Sequence, residues 1–322
     1  MKEFTIRPND AQQRLDRFVS KAVPLLPASL LQKYIRLKRI KVNGKGAARE
    51  TKLAAGDTVQ MYVNDEFFEK PTAENAYLKI TAPALDIVYE DDNILLVNKK
   101  AGVLCHSDGA WSYNTLIAQI QAYLYAKRAW RPGDENAFAP ALCNRIDRNT
   151  AGIVIAAKNA EALRIMNEKI KAREVEKFYL AVVHGALRPP SGRLEGQLFK
   201  DAVKNQVFIS DKNQKGSKTA VTEYRTLAVQ KGLSLVECRL VTGRTHQIRA
   251  QLAHAGHPLL GDGKYGREKD NRPYGETGQA LCSYCVVFDF KTDAGILNNL
   301  KGRTFKLAYV DFAEKYFQKS FQ

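Results

Sequence analysis

The sequence is short of most features that would place it in an oxidising or membranous setting. Its 322 residues hold five cysteines, an odd and scattered set (Cys105, Cys143, Cys238, Cys282 and Cys285). That argues against a disulfide framework and for a reducing, cytoplasmic location. Apolar runs such as 94–97 and 153–157 fall far short of the roughly 18 residues a membrane span requires, so no membrane partner is expected. The first ten residues carry no apolar block and are not expected to act as a secretory signal. No glycine-rich loop of the phosphate-cradling kind occurs. Metal-ligand spacing is missing too. Cys282-Ser-Tyr-Cys285 has no second pair and reads as part of a half-buried strand. His246, His254 and His257 form no ligand pattern such as His-Glu-x-x-His. No metal and no cofactor are expected. A two-carboxylate glycosidase-like site is likewise unsupported.

What is in excess is positive charge. Lys and Arg number 50 against 34 Asp and Glu, a formal net charge of +16, with an isoelectric point near 9.5. Such an excess points to a polyanionic partner, nucleic acid ahead of an anionic membrane surface. Residues 1–63 alone carry 13 Lys/Arg and 5 Asp/Glu, a net of +8. There the apolar spacing predicts a helix over 14–23 and a second over 28–37. The second leaves Lys33, Arg36, Lys38 and Arg39 mostly away from its apolar side. A strand over 40–44, carrying Lys41, ends in an Asn43-Gly44 turn, a hairpin signal. Gly56-Asp57 turns the chain into a strand over 58–63. Arg14-Leu-Asp16, the basic stretch 33–39, Val42-Asn-Gly44 and Leu53 with Gly56-Asp57 resemble the S-four-type RNA-binding domain, although Arg39 stands where that domain often has glycine. The resemblance implies a small α/β RNA-binding domain over 1–63. Residues 64–83, acidic and with prolines at either end, read as a linker.

Over 84–322 the pattern becomes strands separated by turns. Strands are expected over 87–89, 94–99, 153–158, 178–183, 221–227, 233–240 and 280–288. A helix is expected over 115–125, and another over 160–171 with Asn159 as its N-cap. Thr242-Gly-Arg-Thr-His-Gln-Ile-Arg249 leads into a further helix, with Thr245 as its expected N-cap and Gly256 as its stop. Strict βα alternation is missing, so the domain reads as α+β rather than doubly wound. At its centre lies 141–152, where Asp147 stands in a polar loop between Arg145 and Arg148. Gly152 is expected to mark a tight turn ahead of the strand. By itself such an Asp is as ordinary as any turn former or ion-pair partner.

Five stretches, in order, change its standing. Tyr89-Glu-Asp-Asp-Asn-Ile-Leu-Leu-Val-Asn-Lys99 with Gly102 and His106 is the first. Asn144-Arg-Ile-Asp-Arg-Asn-Thr-Ala-Gly152, Lys177-Phe-Tyr-Leu-Ala181 and Gly216-Ser-Lys-Thr-Ala-Val-Thr-Glu-Tyr224 follow. Thr242 to Arg249 with Gly256-His-Pro-Leu-Leu-Gly-Asp262 completes the set. Together they resemble the RluA/RluC/RluD family of pseudouridine synthases. The resemblance implies a mixed, mostly antiparallel central sheet with flanking helices, and isomerisation of uridine to pseudouridine in RNA without a cofactor. It makes Asp147 the catalytic carboxylate, Tyr179 the active-site tyrosine and Arg249 the carboxylate's partner. Arg145, Lys215, Lys218, Arg244, His246 and Gln247 then belong to the RNA-facing surface. Asn144, Ile146, Ala151 and Lys100 depart from the family's usual His, Leu, Ser and Pro.

The residue types suit the chemistry. A carboxylate can act as nucleophile, stabilise positive charge on ribose, or take a proton, and the sequence does not choose among these. A base that excludes water would push a carboxylate's pKa upward, and an adjacent guanidinium offsets that. Extruding the target base from its stack costs a few kcal/mol, and a tyrosine face can receive it. The expected protein is a monomer acting on large-subunit (23S) ribosomal RNA. A tRNA-directed synthase and a catalytically silent RNA-binding or ribosome-assembly factor are the alternatives.

Overall fold

The computed structural model describes residues 1–24, 26, 28–63, 65–68, 77, 80, 82–107, 114–132, 138–201, 206–210, 216–276 and 278–320. Near the N-terminus lie β1 (Lys2–Thr5), α1 (Leu15–Ala22), α2 (Ala28–Arg36), β2 (Ile40–Val42), β3 (Lys45–Gly46) and β4 (Thr58–Met61). The strands form a sheet in the order β1-β4-β2-β3. Asn43 has φ 50 and Gly44 φ 77, left-handed values that close the two-residue hairpin expected there. One face of each helix packs on this sheet through Leu15, Phe18, Val19, Leu31 and Ile35, making a core separate from the rest of the molecule. Most of the stretch read as a linker lies outside the described residues. Phe67 and Phe68 rest on the small core, whereas Tyr77 is buried in the large one.

The second unit runs β5 (Ile87–Glu90), β6 (Ile94–Lys99), α3 (Leu116–Ala126), β7 (Ala141–Leu142), β8 (Ala151–Ala157), α4 (Ala160–Lys171) and β9 (Val175–His184). Then come β10 (Ser191–Asp201), β11 (Gln206–Ser210), β12 (Lys218–Gln230), β13 (Leu233–Leu240) and α5 (Gln247–His254). It closes with α6 (Glu268–Asn271), β14 (Leu281–Phe288), β15 (Thr304–Lys306) and α7 (Asp311–Phe317). Among the described residues the strands form one sheet in the order β11-β10-β12-β13-β9-β14-β8-β6-β5, with β7 and β15 attached at β8 and β14. All described pairs are antiparallel except β8 with β14. This is the mixed, mostly antiparallel α+β sheet that the sequence led us to expect.

The apolar runs are continuous because the centre of the sheet is covered on both faces. On β6, Leu95 and Val97 face one core while Ile94 and Leu96 face the other. On β8, Val154 and Ala156 alternate in the same way with Ile153 and Ile155. The first face lies under α3, and the second under α4 and the segment 294–305. Asn159 accepts from the Ala162 N–H as the N-cap of α4, which is why the helix starts where its spacing indicated.

Gly152 corrects an expectation. It lies within β8, not in a turn ahead of it, at φ +114. A Cβ there would stand 2.2 Å from the Ser283 carbonyl oxygen and 2.6 Å from its nitrogen. The missing side chain lets β8 and β14 approach, and they pair at Ala151–Cys282 and Gly152–Ser283. The sheet therefore joins β5, β6, β7 and β8 to the remaining strands along a short parallel seam.

Thr245 is a second correction. The helix begins at Gln247, with His246 in the N-cap position at φ 54 and no side-chain capping bond. Gln247 organises the turn instead. Its Oε1 accepts from the Arg244 N–H and the Thr242 hydroxyl.

Candidate active site

The loop between β7 and β8 is fixed from several sides. The Asn144 side chain accepts from the Ile155 N–H at 2.8 Å, so the residue that departs from the family motif closes the loop onto the strand. Thr150 is buried, and its hydroxyl accepts from Gln279 Nε2 at 2.7 Å. Gly102 N donates to the Arg148 carbonyl at 2.9 Å, and Arg148 Nε returns a bond to the Gly102 carbonyl at 3.2 Å. Beneath this pair the buried Lys99 donates to the carbonyls of Lys100, Val103 and Arg148 at 2.8–3.0 Å. Burial pushes its ammonium pKa down to about 8. The fixed loop leaves the Asp147 carboxylate 23% exposed, at the floor of a cleft of about 390 Å³. That is room for a nucleoside-sized ligand.

Arg249, in the first turn of α5, reaches Asp147 Oδ2 through Nη1 at 3.0 Å. Its other edge is held bidentately by Asp262, Nε to Oδ2 at 2.7 Å and Nη2 to Oδ1 at 2.9 Å. Asp262 also accepts from the Lys264 and Tyr265 N–H groups. Its side chain is 0% exposed, against 8% for Arg249. Burial works against both charges. Their mutual pairing outweighs it, lowering the Asp262 pKa and raising that of Arg249. One guanidinium thus serves two carboxylates, one buried and one open to the cleft.

Tyr179 points into the cleft from β9 and is 6% exposed. Burial is the first cause that raises its phenol pKa well above the ordinary value, with the Asp147 charge adding to it and contact with Ser283 opposing. At neutral pH it is a neutral ring with an O–H donor, not a phenolate base. His246 lines the same cleft. Its Nδ1 is 2.9 Å from the Tyr265 hydroxyl, and its Nε2 lies 3.8 Å from Asp147 Oδ2, beyond hydrogen-bond range. Burial first, then the Arg249 and Lys264 charges, lower its pKa against the pull of Asp147 and Asp262, so the ring is neutral at pH 7.

The cleft therefore gathers Asp147, Tyr179, Arg249, Arg145, Arg244, His246 and Gln247. Arg145 and Arg244 are exposed at its rim, and Arg244 Nε donates to the Thr219 carbonyl at 3.3 Å. Gln247 is a correction, since it is 2% exposed. Its amide nitrogen donates to the Val221 carbonyl and the Thr222 hydroxyl, so its polar atoms shape the loop and are not offered to a ligand. Lys218 is exposed at the start of β12, and Lys215 lies outside the described residues. Lys33, Arg36, Lys38 and Arg39 are exposed on the small unit and do not line the cleft. There Arg39 lies over the Tyr34 ring, and Lys41, half-buried, over Tyr62. Asp262 and Lys99 are not legible as site residues from the sequence. Both stood inside the quoted motifs, but nothing local signals a buried charge whose partner is set by the fold. Cys282 and Cys285 are buried free thiols, pushed up to about 12 and about 11 chiefly by burial.

The profile of a known family, described as RNA pseudouridylate synthase, matches residues 93–254, the span that holds Asp147, Tyr179 and Arg249. The chain belongs to that family. This pseudouridine synthase is an isomerase acting on RNA. It is 32% identical over 282 residues to the ribosomal large subunit pseudouridine synthase C of Escherichia coli strain K12, covering 87% of this chain and 85% of the relative. To the protein of the same name from Vibrio vulnificus it is 33% identical over 258 residues, covering 80% and 77%. Among solved structures, human RNA pseudouridylate synthase domain containing 4 aligns with a TM-score of 0.56 at 19% identity, over 74% of this chain and 93% of that one. That likeness supports the fold.

Proposed function

We propose that this synthase isomerises uridines in large-subunit ribosomal RNA, with Asp147 as its catalytic carboxylate and Arg249 as its ion-pair partner. The observation that carries the proposal is the 3.0 Å Asp147–Arg249 pair at the floor of the cleft. Detaching uracil, turning it and rejoining it through carbon 5 needs a carboxylate held in place beside the base. A guanidinium already locked by Asp262 holds it without reorganising during the reaction. Tyr179 receives the extruded base on its ring and offers an O–H donor. Arg145 and Arg244 at the rim meet the sugar–phosphate backbone, and Lys218, next to the Thr219 that Arg244 bonds, extends that surface. The substrate class rests on the names of the relatives. We assign residues 1–63 to an anchoring domain whose Lys33, Arg36, Lys38, Arg39 and Lys41 contact RNA phosphates, and 84–322 to the catalytic domain. The enzyme acts as a cytoplasmic monomer. No helix among the described residues is long and apolar enough to cross a membrane.

Pseudouridine mapping of total RNA from cells carrying the wild-type gene, no gene, or the Asp147→Asn variant tests the proposal. Large-subunit sites that vanish without the gene and do not return with Asp147→Asn are the expected result. Sites confined to tRNA would refute the substrate class. Full activity of Asp147→Asn would refute the catalyst.

A further inference from the structure

Lys177 stands two residues before Tyr179 on β9, a spacing of about 7 Å on the same face of a strand. Both side chains line the cleft. An ammonium has three N–H donors, yet among the described residues Lys177 Nζ makes one hydrogen bond, 3.3 Å to the carbonyl of Val175 on its own strand. The acids beside it are committed elsewhere. Glu176 accepts from Arg239 at 2.6 Å, and Glu174 from Lys169 at 2.8 Å. Among the described residues Lys177 has no carboxylate partner and ties no two elements together. Burial alone pushes its pKa down to about 8, the signature of a charge that destabilises the fold it sits in. A cation kept at such a cost, aimed into a cleft, implies a ligand that supplies the missing negative charge.

Two further cations line the same cleft. Arg173 follows the C-cap of α4 and adopts φ 62, a left-handed conformation that glycine usually fills. Its exposed side chain lines the cleft, as does that of Arg145. Neither has an ion pair among the described residues. Arg239, also at the cleft, is neutralised by Glu176 and Glu223.

We propose that the cleft contains a phosphate subsite, in which Lys177, with Arg173 and Arg145, holds the backbone phosphate of the nucleotide whose base enters beside Tyr179. The assignment rests on the reading of the cleft as the seat of the extruded uridine. Lys177 and Tyr179, two residues apart, then address the two ends of one nucleotide: the ring takes the base and the ammonium takes the phosphate. The strand that presents the base platform thereby also sets how far the nucleotide can slide.

Full-length wild type, Lys177→Met and Lys177→Arg should be compared for binding of a short fluorescent oligouridine across a salt series. Lys177→Met should weaken binding about tenfold, the worth of one charge-assisted contact. The log–log salt dependence should become shallower by about 0.7, one single-strand phosphate. Lys177→Arg should keep the wild-type slope. Thermal melts should place Lys177→Met at or above wild type, because a half-buried charge without a carboxylate partner has been removed. Unchanged affinity and slope in Lys177→Met overturn the proposal. So does a lowered melting temperature in Lys177→Met, which would make the lysine a structural element. The two readings fail separately. If wild type binds oligouridine but makes no pseudouridine in any RNA, the catalytic reading falls while the salt slope still reports on the subsite.

Discussion

Asp262 is the residue on which the charge state of the site turns, and its removal gives a sharp test. Asp262→Asn keeps the volume but replaces one acceptor oxygen by an NH₂ donor, which faces Arg249 N–H groups that now bond at 2.7 and 2.9 Å. Both side chains are nearly or fully shielded from water, so solvent does not screen the loss. Breaking a buried pair by removing one partner costs about 3–5 kcal/mol, much of it from the charge left behind. Asp147 still accepts one bond from Arg249, which puts the expectation near the lower end, at about 3 kcal/mol. Urea melts of the full-length protein read this directly. Turnover should fall as well, because a guanidinium held only by Asp147 is no longer pre-aimed. The decisive measurement is the double variant Asp262→Asn with Arg249→Met. With the stranded charge gone, it should recover most of the lost stability while remaining inactive. Strictly additive losses, or a loss below about 1 kcal/mol for Asp262→Asn alone, the level of an exposed pair, would refute the reasoning.

Three other outcomes follow from the same geometry. Acid should act partly through Asp262. Burial raises its pKa, but Arg249 and two backbone N–H groups lower it further, so the net shift is below 3.8. The pair's stabilisation is therefore complete above that pH and lost as pH falls through the lowered value. The acid limb of a stability–pH curve should be flatter in Asp262→Asn, and an unchanged limb would count against the pairing. Gly152→Ala should cost about 3–5 kcal/mol in a thermal or urea melt, from a Cβ forced against Ser283 and a disfavoured φ; near-wild-type stability would contradict the close approach of β8 and β14. Lys99→Met leaves three carbonyls without their donor and should cost about 2–4 kcal/mol, offset in part by loss of a buried charge. Its turnover should drop with stability as the Asp147 loop loosens, and a variant as active and stable as wild type would show that the lysine does not hold the loop.

Much of the fold was legible in the sequence wherever local and tertiary preferences agree. Helix α4 begins at a capping Asn and repeats its apolar residues at helical spacing, and the runs at β6 and β8 are apolar because the sheet is buried on both faces. The β10–β11 hairpin escaped notice because its strands are largely polar and partly solvated, so no alternation marks them. The start of α5 was misplaced by one residue, since Thr245 has the right side chain but Gln247, tied to distant Val221 and Thr222, bonds the turn. In the site, Asp147, Tyr179 and Arg249 were legible as motif residues. Asp262, Lys99 and Lys177 were not. Their significance is a matter of which charges find partners after folding, and a linear pattern carries no information about a missing counter-ion.

The narrow join between β8 and β14 has a mechanical consequence. Asp147 is delivered by the β6–β8 side of the sheet, whereas Tyr179 and Arg249 come from the side that holds β9 and α5. Their meeting distance is therefore fixed across a joint of two paired residues, braced by the Thr150–Gln279 bond. In the proposed reading, a polynucleotide seated along the cleft and held by Arg145 on one side and Lys177 on the other bridges that joint. Such a ligand adds one more tie to those the protein itself makes across the seam, the Asp147–Arg249 and Thr150–Gln279 bonds.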